Sequence, residues 1–207
     1  HSKHAQLAVD ALLIASGRQP ATASLHPENA GIAVNERGAI VVDKRLHTTA
    51  DNIWAMGDVT GGLQFTYISL DDYRIVRDEL LGEGKRSTDD RKNVPYSVFM
   101  TPPLSRVGMT EEQARESGAD IQVVTLPVAA IPRARVMNDT RGVLKAIVDN
   151  KTQRMLGASL LCVDSHEMIN IVKMVMDAGL PYSILRDQIF THPSMSESLN
   201  DLFSLVK

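Results

Sequence analysis

The apolar positions change their period along the chain, and the changes mark its elements. Residues 10–15 contain a continuous apolar run, Ala11-Leu12-Leu13-Ile14-Ala15, which reads as a buried strand. The runs at 32–34 and 40–42 flank Asn35-Glu36-Arg37-Gly38, a hairpin signal in which Gly38 suits a positive φ. A short apolar strand at 53–56 leads into Gly57-Asp58 and a Gly-rich turn. The period then lengthens. Phe65, Ile68, Asp72 or Tyr73, Ile75, Val76, Glu79 and Leu80 follow helical spacing, with Gly82 as the stop. Residues 82–93 are rich in charge and hold no apolar side chain, so the domain boundary is placed there.

Beyond that linker the pattern shortens again. Strands are predicted at 98–101 and 106–109 around Pro102-Pro103. Thr110 caps a short helix, with Gln113 completing its box and Gly118 ending it. A strand at 121–128 follows. Strands at 143–148 and 155–163 then flank Asp149-Asn150-Lys151-Thr152-Gln153, a hairpin turn. Asp164-Ser165-His166-Glu167 spells a capping box before a helix whose apolar side is Met168, Ile169, Ile171, Val172, Val175 and Met176; Gly179 and Pro181 close it. Hairpin strands with helices gathered at the ends predict an α+β fold on an antiparallel sheet. No internal repeat is visible.

Composition narrows the function. A chain of 207 residues allows one or two domains with a substantial core. A net charge of −3 and an aromatic content of 4% argue against a nucleic-acid surface. No apolar run approaches the ~18 residues of a membrane span. The single cysteine, Cys162, forbids an intrachain disulfide and suits a reducing compartment such as the cytoplasm. Ending an apolar strand, it reads as a small hydrophobe. The nine methionines fall mostly at apolar helix or strand positions, which favours core filling over soft-metal binding. His166 beside Asp164 and Glu167 suggests a metal site, but capping accounts for both carboxylates and no metal is assigned.

The candidate chemistry lies near the end, in His192-Pro193-Ser194-Met195-Ser196-Glu197. Proline restricts the backbone of His192. A carboxylate five residues on can hold one ring nitrogen and set the tautomer of an acid–base imidazole. Ser194 and Glu197 also spell a capping box before Leu199, Leu202, Phe203 and Val206. The two readings are compatible. At 57–62 the glycines permit close approach of a ligand to the backbone, and Asp58 can accept hydrogen bonds from ligand hydroxyls. A turn with Asp58 as a helix cap is the plainer reading there.

Five ordered blocks resemble the flavin-dependent pyridine nucleotide–disulfide oxidoreductases, in the lipoamide dehydrogenase/mercuric reductase branch. They are the apolar strand running into Gly17-Arg18-Gln19-Pro20; the 53–58 segment, similar to the second FAD motif; Gln64-Phe65-Thr66-Tyr67; Val107-Gly108-Met109-Thr110-Glu111-Glu112-Gln113-Ala114; and His192 to Glu197, similar to a His-Pro-Thr-x-x-Glu ending. The resemblance implies an incomplete FAD-binding α/β segment at 1–85, a linker at 86–93 and an interface (dimerisation) domain at 94–207. It implies FAD contacts at Gly57, Asp58, Gln64, Phe65 and Thr66, and NAD(P)H as co-substrate. His192, oriented by Glu197, would serve the redox centre of the other subunit of a homodimer, with a small molecule or metal ion as oxidant. Arg18 is read as a loop ion pair.

The family's Gly-x-Gly-x-x-Gly fingerprints and Cys-x4-Cys pair do not occur in this sequence, and it opens at His1. It is therefore expected to be the C-terminal part of a longer reductase, inactive alone. Mercuric reductases end in a cysteine pair, whereas this chain keeps the histidine and ends Ser-Leu-Val-Lys, which puts mercury reduction in doubt. The competing expectation is a cofactor-free dimerisation module.

Overall fold

The computed structural model describes residues 7–207, which divide into two compact units, one ending at Asp90 and the other Arg91–Lys207. In the first unit the principal element is helix α1, Thr66–Leu81. It buries Ile68, Asp72 and Ile75 on the stripe that the spacing predicts, and Gly82 N–H closes it by donating to Asp78 O at 2.9 Å. The charged segment that follows is pinned rather than loose. The Asp78 carboxylate accepts from the N–H groups of Lys85 (2.7 Å) and Arg86 (2.9 Å), and Thr88 N–H donates to Lys44 O at 2.9 Å.

The strands expected in this unit are not formed. Residues 10–15 form no strand and pair with no other segment among the described residues, and Leu12 and Leu13 are 80% and 89% exposed. A strand needs a neighbour to take its N–H and C=O groups, and among the described residues none lies beside this run. The 53–56 segment contributes one bridge, His47 opposite Trp54. The expected hairpin is likewise one bridge, Val34 opposite Ile40, around a turn with Gly38 at φ +81°.

The second unit is an antiparallel sheet of β1 (Tyr96–Val98), β2 (Leu104–Gly108), β3 (Ile121–Pro127), β4 (Val143–Asp149) and β5 (Met155–Leu161), in the order β1-β2-β5-β4-β3. Helix α2 (Glu111–Glu116) follows β2, and its capping box forms as predicted: Gln113 N–H donates to Thr110 Oγ1 at 3.0 Å, and Thr110 N–H donates to Gln113 Oε1 at 2.9 Å. Two short helices, α3 (Pro132–Val136) and α5 (Ser183–Arg186), were not foreseen. β1 begins two residues and ends three residues before its predicted span, and β2 begins two residues and ends one before its own.

Helix α4 (Ser165–Asp177) packs on β2 and β5, and α6 (Ser198–Ser204) on β3 and β4. Alternate β4 residues Leu144, Ala146 and Val148 meet Met168, Ile169 and Val172 of α4 and Leu199, Leu202 and Phe203 of α6 in one buried core. Each large side chain buried there stabilises the unit by ~1.5–3 kcal/mol before chain entropy is counted. The capping box expected at 164–167 is absent. Asp164 takes a left-handed backbone (φ 58°), and no side chain caps α4. The methionine expectation also needs correction: Met155, Met168 and Met195 are buried, but Met56, Met100, Met109, Met137 and Met174 are exposed.

Candidate functional site

The loop from α5 to α6 presents His192. Its tether is Asn200 on α6, whose Nδ2 donates to Leu185 O (2.8 Å), Arg186 O (3.0 Å) and Gln188 O (3.0 Å). The chain then turns back through Pro193, and Glu197 closes the turn. Glu197 Oε2 lies 2.8 Å from His192 Nδ1. Glu197 Oε1 accepts from Ser194 N–H at 3.4 Å, and Glu197 N–H donates to Ser194 Oγ at 3.2 Å. The reciprocal Ser194–Glu197 bonds and the His–Glu pair coexist, because one carboxylate has two oxygens, but the expected capping box is not formed: Glu197 itself is the N-cap of α6 and no side chain caps that helix. The reciprocal bonds close the turn just ahead of α6, which begins at Ser198.

The imidazole side chain is 71% exposed, whereas Glu197 is 16% exposed. The carboxylate is held by Ser194 N–H in the turn ahead of α6, and the ring is offered outward. With Nδ1 engaged by Glu197, Nε2 is the nitrogen left for a reacting group. Ile189, three residues upstream, is 94% exposed beside this loop.

Within the first unit the turn at Gly57–Thr60 packs against α1. Gly57 has φ +78°, and a Cβ there would lie 2.9 Å from Ser69 Oγ. Its N–H donates to Asp72 Oδ2 at 2.7 Å, which ties the 57–60 turn to α1. Asp72 was missed as a positioning residue; the signal was a carboxylate on the helix stripe that should be apolar. Asp58 is 52% exposed and pairs with Arg18 at 3.6 Å, so the expected loop ion pair exists and has Asp58 as its partner. Gln64 and Phe65 are half-buried and Thr66 is exposed at the start of α1. The Phe65 and Tyr67 rings stack 5.0 Å apart.

Cys162 is buried, with Sγ 3.9 Å from Met168 Sδ, and burial first, then Asp164 and Asp139, pushes its thiol up to about 12. It stays a protonated core side chain. His166 Nδ1 is buried without a partner, while Nε2 lies 3.9 Å from Glu167. Among the described residues no group of three His, Cys, Asp or Glu side chains could hold a metal ion. No helix among them is long and apolar enough to cross a membrane.

This sheet, with its covering helices and terminal histidine turn, matches the pyridine nucleotide-disulphide oxidoreductase dimerisation domain over residues 94–203, and residues 1–72 match a second pyridine nucleotide-disulphide oxidoreductase domain. The chain belongs to that family. It is 99% identical to the HOCl-induced flavoprotein disulfide reductase RclA from Escherichia coli, solved as a Cu(II) complex, with a TM-score of 0.97 over 100% of this chain and 47% of that one. Mercuric reductase from Staphylococcus aureus is 36% identical over 92% of this chain and 35% of its own length. LpdA from Mycobacterium tuberculosis, 24% identical, shares the fold at a TM-score of 0.82 over 91% of this chain and 41% of that one. This chain spans less than half the length of each of these proteins.

Proposed function

We propose that this chain supplies the dimer-forming and proton-handling part of an FAD-dependent, NAD(P)H-using dithiol/disulfide oxidoreductase of the cytoplasm. The observation that carries the reading is the exposed His192 ring held at Nδ1 by a largely buried Glu197, 2.8 Å away. A free thiol with a pKa near ~8.5 is mostly protonated at neutral pH, so thiolate chemistry needs a base. His192 Nε2 takes the proton from a substrate thiol; Glu197 holds the ring and balances the imidazolium that results. Reversing the step returns the proton to the leaving thiolate. Such help is typically worth ~10²–10⁴ in rate.

FAD, when bound, would carry electrons from NAD(P)H to a cysteine pair. The residues around Gly57 fit such a group: the exposed Asp58 carboxylate has lone pairs free for ligand hydroxyls, and Gly61 and Gly62 leave the neighbouring backbone bare. Asp58 would take the sugar-alcohol chain, and Gln64, Phe65 and Thr66 would border the ring system. The homodimer would form through residues 94–207, setting His192 and Glu197 at the redox centre of the other subunit. The exposed apolar side chains Val98, Phe99 and Ile189 favour a covered face in this unit.

The test uses the full-length reductase bearing this sequence. His192→Gln should lower disulfide turnover by about two orders of magnitude or more while flavin reduction by NAD(P)H keeps its rate. Unchanged turnover would overturn the assignment. By itself the chain, with Cys162 as its one thiol, should not turn over. Quenching of FAD fluorescence by the chain separates a retained flavin site from a cofactor-free dimerisation module.

A second reading takes a metal ion as oxidant, favoured by the Cu(II) complex of the E. coli protein and by the mercuric reductase likeness. Electron transfer to a metal ion needs no proton from an imidazole. On that reading His192→Gln spares metal reduction and slows only thiol exchange.

A further inference from the structure

We propose that the groove lined by Met109, Met155 and Met176 binds a soft monovalent cation, of the Cu(I) or Ag(I) kind, through thioether sulfur. The three methionines come from separate elements: the end of β2, the start of β5 and the last turn of α4. Two glycines let these elements close up. A Cβ on Gly108 would lie 2.8 Å from Met176 Cε, and a Cβ on Gly157 would lie 2.1 Å from Met109 O. Met109 N–H donates to Leu156 O at 2.9 Å, which sets Met109 beside the residue that follows Met155.

The donors of the groove are unusual in kind. Its other lining residues are Asn93, Val94, Gly108, Gln113 and Leu156, with no charged side chain among them. Each amide is engaged through one atom: Gln113 Oε1 accepts from Thr110 N–H at 2.9 Å, and Asn93 Nδ2 donates to Asp177 Oδ1 at 2.9 Å. Sulfur is the soft donor that the groove offers. Magnesium and calcium ions require oxygen ligands. Thioether sulfur selects soft monovalent ions such as Cu(I). Met155 is 5% exposed at the floor and Met109 41% exposed at the rim, so an ion has both a mouth to enter and a low-dielectric bed. Cys162, the one thiol, is buried and protonated, and does not compete.

Silver(I) is the probe, because it is soft and does not change oxidation state, and chloride-free buffer keeps it dissolved. The full chain should bind one equivalent in equilibrium dialysis. Met109→Leu with Met176→Leu, which keeps side-chain volume, should weaken binding about tenfold or more. Met137→Leu with Met174→Leu, exposed and outside the groove, should leave it unchanged. In methyl-labelled wild-type chain, silver should shift the Met109, Met155 and Met176 signals, a reading that does not depend on any variant folding. Equal affinity in the groove variant, absence of binding, or silver that leaves these three methyl signals in place overturns the proposal.

Discussion

Asn200 should be less tolerant of its isostere than of truncation. Its Nδ2 reaches three carbonyls, those of Leu185, Arg186 and Gln188, at 2.8–3.0 Å. An amide nitrogen has two protons, so three contacts amount to two full hydrogen bonds, one of them shared. At ~1 kcal/mol per bond, Asn200→Ala should cost about 2 kcal/mol. Asn200→Asp keeps the shape but turns a carboxylate toward the same three oxygens. Repulsion and partial desolvation add ~1–2 kcal/mol, for a total of about 3–4 kcal/mol. Urea unfolding followed by far-UV circular dichroism gives the global loss. Amide exchange over residues 186–192 reads the loop itself, where 2 kcal/mol is about 30-fold in protection. The excess cost of the carboxylate depends on its charge. Surrounded by carbonyls, it holds its proton above the ordinary value, so the excess is full at neutral pH and fades as pH falls through the carboxyl range. An Asp variant as stable as the Ala variant at neutral pH would refute the geometry. The same loop carries His192, so both variants should lose turnover in the full-length reductase before they lose the fold.

Other outcomes follow from single features. Gly142 has φ +110°, and a Cβ there would lie 1.8 Å from Leu161 O, in the backbone of β5; Gly142→Ala should cost roughly 3 kcal/mol or more in urea unfolding, and a loss below about 1 kcal/mol would contradict this packing. In the second unit, Lys145 and Arg115 hold the Glu111 carboxyl below its ordinary value; Arg141 does the same for Asp139, the N–H groups of Thr152 and Lys151 for Asp149, and Arg186 for Asp187. Groups lowered by folding contribute stability above their unfolded pKa values and lose it as pH falls through the folded ones, so urea midpoints should be level above pH ~5 and decline below pH ~4; midpoints that rise on acidification would refute it. Cys162 should react with a thiol reagent only as fast as the chain unfolds, because its thiol is buried and raised to about 12; labelling at a free-thiol rate would show that the core is open.

What was legible in the sequence was what the chain decides locally. Helix α1, the capping box of α2 and strands β3 to β5 follow from period and end signals within a dozen residues, and they formed close to their predicted bounds. The family likeness rests on five short blocks, of which the one at 107–114 contains the capping box of α2, and the dimerisation-domain match bears the likeness out. Local chemistry was weaker evidence where a backbone conformation could override it. Asp164 and Glu167 have the spacing of a box, but Asp164 turns left-handed and the box is lost. Helices α3 and α5, of five and four residues, are too short to show a period. Residues 10–15 carry the composition of a strand, but composition supplies no pairing partner.

The two candidate sites divide along the same line. His192 and Glu197 are five residues apart, and the bonds that join them run through the turn between them, so the pair could be read before any fold was known. Its support could not: Asn200 finds its carbonyls 12 to 15 residues back, across a turn that no motif announces. The methionine groove is wholly non-local, assembled from residues 93–94, 108–113, 155–156 and 176. Read one at a time, its thioethers look like core filling, and Met155 is in fact buried. Only the close approach allowed by Gly108 and Gly157 brings three sulfur-bearing side chains to one opening with no charged competitor. A site of this kind can be proposed only from the fold, and replacing two sulfur atoms with carbon at constant volume tests it without disturbing the histidine turn.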